Sequence, residues 1–131
     1  MQVLLQITGI LLIILAGIHV IFPRYFNWKQ ELANLSTMNR QLMYVHSFFI
    51  GLTVSFMGLL CVTSAAELTG TLLGKRILLA LAIFWSVRLV FQFFVYSSSI
   101  WKGKTFETMI HILISGFWIY LVVVFGLAYL A

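Results

Sequence analysis

Hydrophobic residues dominate four stretches of this chain, and polar and charged residues gather in short groups between them. Val3 to Phe22 is the first apolar run, stopped by Pro23; the others extend from about Met38 to Ser64, Ile77 to Ser99 and Thr105 to Tyr129. Each is about 20 residues or longer, the length at which a helix rising 1.5 Å per residue crosses the hydrocarbon of a bilayer. The pattern predicts an all-α chain, an integral membrane four-helix up-down bundle that forms one domain over residues 1–131 with spans 3–22, 38–64, 77–99 and 105–129. The first run lacks the basic stretch and the Ala-x-Ala-like ending of a secretory signal, so it reads as a retained span.

The connections carry their own signals. In the longest, from Arg24 to Met38, Asn27 followed by Gln30 has the form of a capping box, and Trp28, Leu32 and Leu35 recur at i, i+4, i+7. A short helix lying in the membrane interface is therefore expected there, with Ser36 as the N-cap of the second span. Ala65 to Gly74 reads as a short link ahead of Lys75 and Arg76, and Ile100-Trp-Lys-Gly-Lys104 as a tight turn.

Helical periodicity sorts each span into faces. At about 100° per residue, Leu81, Trp85, Arg88, Gln92, Tyr96 and Ser99 form one narrow stripe, while Ile83, Val87, Val90, Phe91 and Phe94 cover the rest. The third span thus has a polar seam and a lipid-facing back. A charge in hydrocarbon costs roughly 2.5–3.5 kcal/mol on insertion scales, so Arg88 is expected to face protein or a ligand. On the second span Ser47, Gly51, Ser55 and Gly58 make a small-residue ridge of the kind that lets helices approach closely in lipid. On the fourth, Glu107, His111, Ser115, Trp118 and Val122 share a face. His19 lies on the same face of the first span as Leu5, Leu12 and Ala16.

Composition adds the solvent. With 63% hydrophobic residues, 8% charged and a mean hydropathy of +1.09, the chain has too little polar surface to remain a soluble monomer. The net charge of +5 comes mostly from residues flanking the apolar runs, where they orient helices or touch head groups, and gives no support to nucleic-acid binding. Arg24, Lys29, Arg40, Lys102 and Lys104 on the first and third connections stand against Lys75 and Arg76 on the second. That places the odd-numbered connections in the cytoplasm and both termini on the same, periplasmic side. Cys61 is the sole cysteine, so one chain builds neither a disulfide nor a thiolate metal site.

The alternation of spans brings His19, His46, Gln92 and His111 to one level, on the order of 5–12 Å below a single interface, with Arg88 about a turn deeper. Two kinds of reading follow. In the first, each group serves structure: a helix-end histidine bonds a carbonyl, Arg88 pairs with Glu107 or caps loop carbonyls, and Gln92 and Tyr96 serve Arg88. In the second, His46 and His111 hold a b-type haem between the second and fourth spans, with Arg88, Gln92 and Tyr96 at its polar edge. Alternatively His19, His46 and His111 gather around zinc or copper. No phosphate loop, nucleophile elbow or His-Glu-x-x-His is present, so enzyme is the least favoured class.

Two segments carry a resemblance. Asn39-Arg-Gln-Leu-Met-Tyr-Val-His-Ser-Phe-Phe-Ile50, and Phe84-Trp-x-x-Arg-x-x-x-Gln-Phe-Phe-x-Tyr96 followed by the His111 segment, resemble small four-span bacterial membrane proteins of no established function. The chain is more loosely similar, in size and span count, to the DoxX-like four-span proteins. The resemblance implies a bacterial inner-membrane protein and no particular activity. The function expected first is that of an accessory or assembly subunit of a larger membrane complex, with other membrane subunits or further copies of itself as partners. A haem-binding redox module comes second, and an oligomeric small transporter or channel third.

Overall fold

The computed structural model describes residues 1–94 and 105–131, apart from the side chain of Glu107. They form six helices: α1 (Gln2–Tyr25), α2 (Trp28–Glu31), α3 (Thr37–Thr63), α4 (Ala65–Gly70), α5 (Leu72–Phe94) and α6 (Thr105–Leu130). The chain is all-α as expected, and α1, α3, α5 and most of α6 are long and apolar enough to cross a membrane. The described residues fall into two compact units, one of Val3–Ala65 and one of Ala66–Ala131 together with Met1–Gln2. Each is an antiparallel helical hairpin. The last turn expected for the third span, the Ile100–Lys104 turn, Tyr96 and Trp101 lie outside the described residues.

In the first hairpin α1 and α3 meet through small residues. Leu5, Thr8, Gly9, Leu12 and Ala16 are the buried stripe of α1, and Ser47, Gly51, Val54, Gly58 and Cys61 that of α3. A Cβ on Gly9 would stand 2.5 Å from the Gly58 carbonyl oxygen, and one on Gly58 would stand 2.6 Å from that of Gly9. The two backbones therefore touch at this crossing, where any side chain would force them apart. Thr8 donates its hydroxyl to the Leu4 carbonyl, which satisfies it within its own helix.

Three boundaries differ from the sequence expectation. α1 runs past Pro23 to Tyr25. Proline removes only its own N–H, and the next turn still closes, as in the Phe26 N–H bond to the Phe22 carbonyl at 2.9 Å. What ends the helix is Asn27, in the left-handed region at φ 56°, a conformation asparagine adopts more readily than most residues. The interfacial helix shrinks to the single turn of α2, and the expected capping box is absent. An N-cap needs extended backbone, and the Asn27 side chain instead donates to the Gln30 side-chain oxygen at 2.8 Å. Ser36 does cap α3, accepting from the Asn39 N–H at 3.2 Å.

The third correction lies in the second hairpin. Ala65–Gly70 is helical and α5 begins at Leu72, five residues before the expected start at Ile77. Thr71 accounts for this: its hydroxyl accepts the Gly74 N–H at 2.9 Å and caps the new helix. A side chain at Gly74 would collide with the backbone of Glu67 and Leu68, so glycine permits α4 to fold against the start of α5. Lys75 then lies one turn into α5, and its ammonium donates to the carbonyls of Ala128 and Tyr129 at 3.1 and 3.2 Å and to that of Ala131. These are the carbonyls a helix C-terminus leaves without partners, so Lys75 clamps the end of α6 to the start of α5.

The Gly9–Gly58 contact gives a direct test. Gly58→Val should lower the thermal stability of the purified protein by about 1–3 kcal/mol through overpacking. Gly17→Ala, whose Cβ meets nothing within 4 Å, should shift it by less than about 0.5 kcal/mol. Equal melting temperatures for wild type and Gly58→Val would show that the helices do not cross there.

Candidate functional site

The polar seam read from the sequence is realised in the second hairpin. Leu81, Trp85 and Gln92 are buried and Arg88 half-buried, whereas Ile83, Val87, Val90, Phe91 and Phe94 on the back of α5 are each about half exposed or more. Facing them on α6, Ser115 and Trp118 are buried and His111 half-buried. Antiparallel packing sets three residue levels against one another. Trp85 stacks on Trp118 with ring centroids 5.1 Å apart and planes at 16°, the Arg88 guanidinium lies 5.1 Å from the centroid of the Trp118 ring, and Gln92 meets His111.

The hydrogen bonds of the seam run in one direction. Arg88 has only donors, so its contact at 3.2 Å fixes the Gln92 side-chain oxygen as acceptor. The Gln92 amide nitrogen then points to His111 Nδ1 at 2.8 Å, and because that nitrogen only donates, Nδ1 must present a lone pair. His111 is therefore the Nε2–H tautomer. The reverse amide orientation would set two donors against each other at Arg88. Phe93 closes against the His111 ring edge-on at 6.2 Å.

The other two histidines sit in the first hairpin and have the opposite tautomer. His19 Nδ1 donates to the Leu15 carbonyl at 2.9 Å and His46 Nδ1 to the Leu42 carbonyl at 2.8 Å, which leaves the lone pair on Nε2 in each. His19 is half-buried over Gly51, where a Cβ would approach its own Cβ to 3.1 Å, and packs on Phe22; His46 is exposed. A histidine that binds iron or zinc through Nε2 needs its lone pair there and commonly donates from Nδ1. His19 and His46 have that form. His111 does not: its Nδ1 is taken by Gln92 and its Nε2 carries the proton, so the residues present do not fit a haem ligated by His111 without breaking the chain of bonds from Arg88. Among the described residues no three His, Cys, Asp or Glu side chains gather in a metal-holding group. Glu107, the expected partner of Arg88, and Tyr96 lie outside what is described.

No protein-family model, no curated protein and no solved structure matches this chain. Function has to be argued from the residues themselves.

Two features escaped the sequence reading. The first is a groove of about 520 Å³ on the first hairpin, between α1 and α3. Ala16, Gly17, Ser47, Gly51 and Ser55 contribute small side chains to it, with Tyr44 and His19 among its polar groups. Of the ridge expected on α3, Ser47, Gly51 and Gly58 are buried, but Ser55 is half-buried and lines the groove. The second is that the indole N–H groups of Trp85 and Trp118 and the hydroxyl of Ser115 are buried without a hydrogen-bond partner. Each such group costs about 1–3 kcal/mol relative to a satisfied one. The stripes that contain the two tryptophans show that an indole is inside, not whether its N–H is met.

The tautomers are measurable. Nitrogen-15 spectra should show His111 protonated on Nε2 and His19 and His46 protonated on Nδ1, and Gln92→Leu should erase the distinction for His111 alone. One common tautomer for all three would remove the chain of bonds. A double-mutant cycle pairing Arg88→Leu with Trp118→Leu should give a coupling of about 0.5–2 kcal/mol in stability, the range of a cation lying over an aromatic face.

Proposed function

We propose that this chain is an integral protein of the bacterial inner membrane that serves as an accessory or assembly subunit of a larger membrane complex. The observation that carries the reading is the groove between α1 and α3. Its small residues, Ala16, Gly17, Ser47, Gly51 and Ser55, are those that admit the backbone of another helix in lipid, where association depends on close packing and interhelical hydrogen bonds rather than on hydrophobicity. Gly17 has open space where a Cβ would stand, so its backbone is accessible to such a neighbour. Ser47, Ser55 and Tyr44 supply hydroxyls at the same surface.

The exposed residues agree with a lipid setting. Large apolar side chains such as Ile14, Phe49, Phe56, Phe91 and Ile112 are half exposed or more along all four long helices, a surface suited to hydrocarbon. The distribution of basic residues supports both termini facing the periplasm. Occupation of the groove by a partner helix would make this subunit a spacer or clamp whose activity resides in what it assembles.

Filling the groove tests the reading. Gly17→Leu is expected to leave the melting temperature of the isolated protein nearly unchanged, because nothing lies within 4 Å of the added Cβ. The same variant should move the protein from a large species to a small one when membranes are solubilised mildly and separated by size. If wild type and Gly17→Leu migrate alike, the groove is not an assembly surface.

A further inference from the structure

The groove between α1 and α3 ends in unpaired positive charge. On α1 its lining residues Ile13, Gly17 and Val20 recur at helical spacing, and the same spacing one turn on reaches Arg24. On α3 the lining residues Ser55, Gly51 and Tyr44 lead in the same way to Arg40. Because the two helices are antiparallel, both arginines fall at one end. His19 faces Gly51, so Arg24 stands near the level of residue 46 and Arg40 six residues further out, about 9 Å along the axis. Tyr44 lies at a level between them. Trp28 meets Tyr44 edge-on at 5.5 Å, which holds α2 and its Lys29 at this end as well. The side chains of Arg24, Lys29 and Arg40 form no hydrogen bond or ion pair among the described residues, and Glu31 is the one carboxylate between Pro23 and Tyr44.

A second observation comes from inside the groove. Ser47 lines it and is 9% exposed, yet its hydroxyl forms no hydrogen bond among the described residues. Other hydroxyls of α3 turn back to their own helix: Thr53 donates to the Phe49 carbonyl at 2.8 Å and Thr63 to that of Leu59 at 2.7 Å. The Ser47 hydroxyl is thus a donor left for an occupant. Most of the remaining lining, including Val20, Phe48 and Leu52, is apolar. The volume of about 520 Å³ lies within the range of roughly 300–1,000 Å³ typical of ligand sites. An occupant that suits the whole surface has an apolar chain for the groove, an acceptor near the level of Ser47 and an anionic group above it. A phosphate diester joined to acyl chains through ester carbonyls carries these three in that order.

We propose that the groove holds one acyl chain of an anionic phospholipid, with the phosphate between Arg24 and Arg40, beside Tyr44 and Lys29, and an ester carbonyl accepting from Ser47. Guanidinium groups suit this place because their paired donors match phosphate oxygens, and cations at a helix end lie where anionic head groups are met. The proposal rests on the membrane setting argued above and not on partner assembly. It describes the isolated subunit, whose groove a partner helix would enter by displacing the chain.

The test uses the full-length protein purified in detergent and stripped of lipid, then titrated with dioleoyl phosphatidylglycerol or dioleoyl phosphatidylcholine while native mass spectrometry counts the lipid bound. Phosphatidylglycerol should fill one saturable site, and phosphatidylcholine, with the same chains and a zwitterionic head, should bind there on the order of tenfold more weakly. Arg24→Gln and Arg40→Gln should each weaken phosphatidylglycerol about fivefold and leave phosphatidylcholine unchanged. Ser47→Ala should weaken both lipids, Gly17→Leu should remove the site for both, and Arg76→Gln, in the other hairpin, should alter neither. Glycerol 3-phosphate, which has the charge without the chains, should not compete. Equal binding of the two lipids, or a phosphatidylglycerol site that survives Arg24→Gln and Arg40→Gln together, would overturn the proposal. So would full retention of that site in Gly17→Leu, which would mark attraction to surface charge outside the groove. These readings come from the isolated chain and hold whether or not a partner assembly exists; a protein that stays in solution without detergent would instead refute the membrane setting and the lipid site with it.

Discussion

An arginine in an apolar helix has to be satisfied by its own protein, and the second hairpin is arranged around that demand. Arg88 is met along α5 by Gln92 and across to α6 by the face of Trp118. The guanidinium is planar and weakly hydrated, which suits it to lie on an indole while its edge donates hydrogen bonds; a lysine ammonium at this position would offer a compact charge without the stacking plane. Once Gln92 is oriented by Arg88, His111 is oriented by Gln92, and the register of α5 against α6 is set by polar contacts as well as by volume. At the other end Lys75 does the same for the last carbonyls of α6. Lys75 and Gln92 are 17 residues apart in one helix, about 25 Å along its axis, so the two attachments pin the hairpin near both ends.

The first hairpin is held differently. Gly9 and Gly58 bring α1 and α3 into backbone contact, and Leu5, Leu12, Val54 and Cys61 fill the space beside that crossing. Dispersion and fit dominate there, and its polar side chains are largely satisfied within their own helices, as Thr8 and His19 show. A hairpin closed by small residues keeps small residues at its margin as well. The groove by Ala16, Gly17 and Ser55 is a continuation of the same packing strategy, in which close approach is prepared and then left open on one side.

Much of this was legible in the sequence because long apolar helices permit few arrangements of their polar residues. Four apolar runs of spanning length, the seam from Leu81 through Arg88 to Gln92, the small ridge at Ser47, Gly51 and Gly58, and the Ser36 cap all follow from period, polarity and size. Pairings were harder. Gly58 was readable as packing, but nothing local identifies Gly9 as its partner. Lys75 reads equally as an orienting charge and as a helix clamp, and only the antiparallel return of α6 decides between them. Asn27 misled because asparagine both starts helices with its side chain and stops them with a left-handed backbone, and its neighbour Gln30 made the first role look complete. The histidines were grouped by depth alone, although each imidazole nitrogen is committed by its hydrogen bond: Leu15 and Leu42 carbonyls fix His19 and His46 one way, and Gln92 fixes His111 the other.

That reversal bears on what the seam can do. From Arg88 to Gln92 to His111 both bonds donate in the same sense, so the His111 ring carries its proton on Nε2. Trp85, Trp118 and Ser115 add donors at the next levels. In water such an excess would be met by solvent at little cost, but within apolar helices each donor draws toward it whatever acceptor is at hand. The arrangement that orients Arg88 thus lines the contact between α5 and α6 with side-chain donors, while the back of α5 stays apolar.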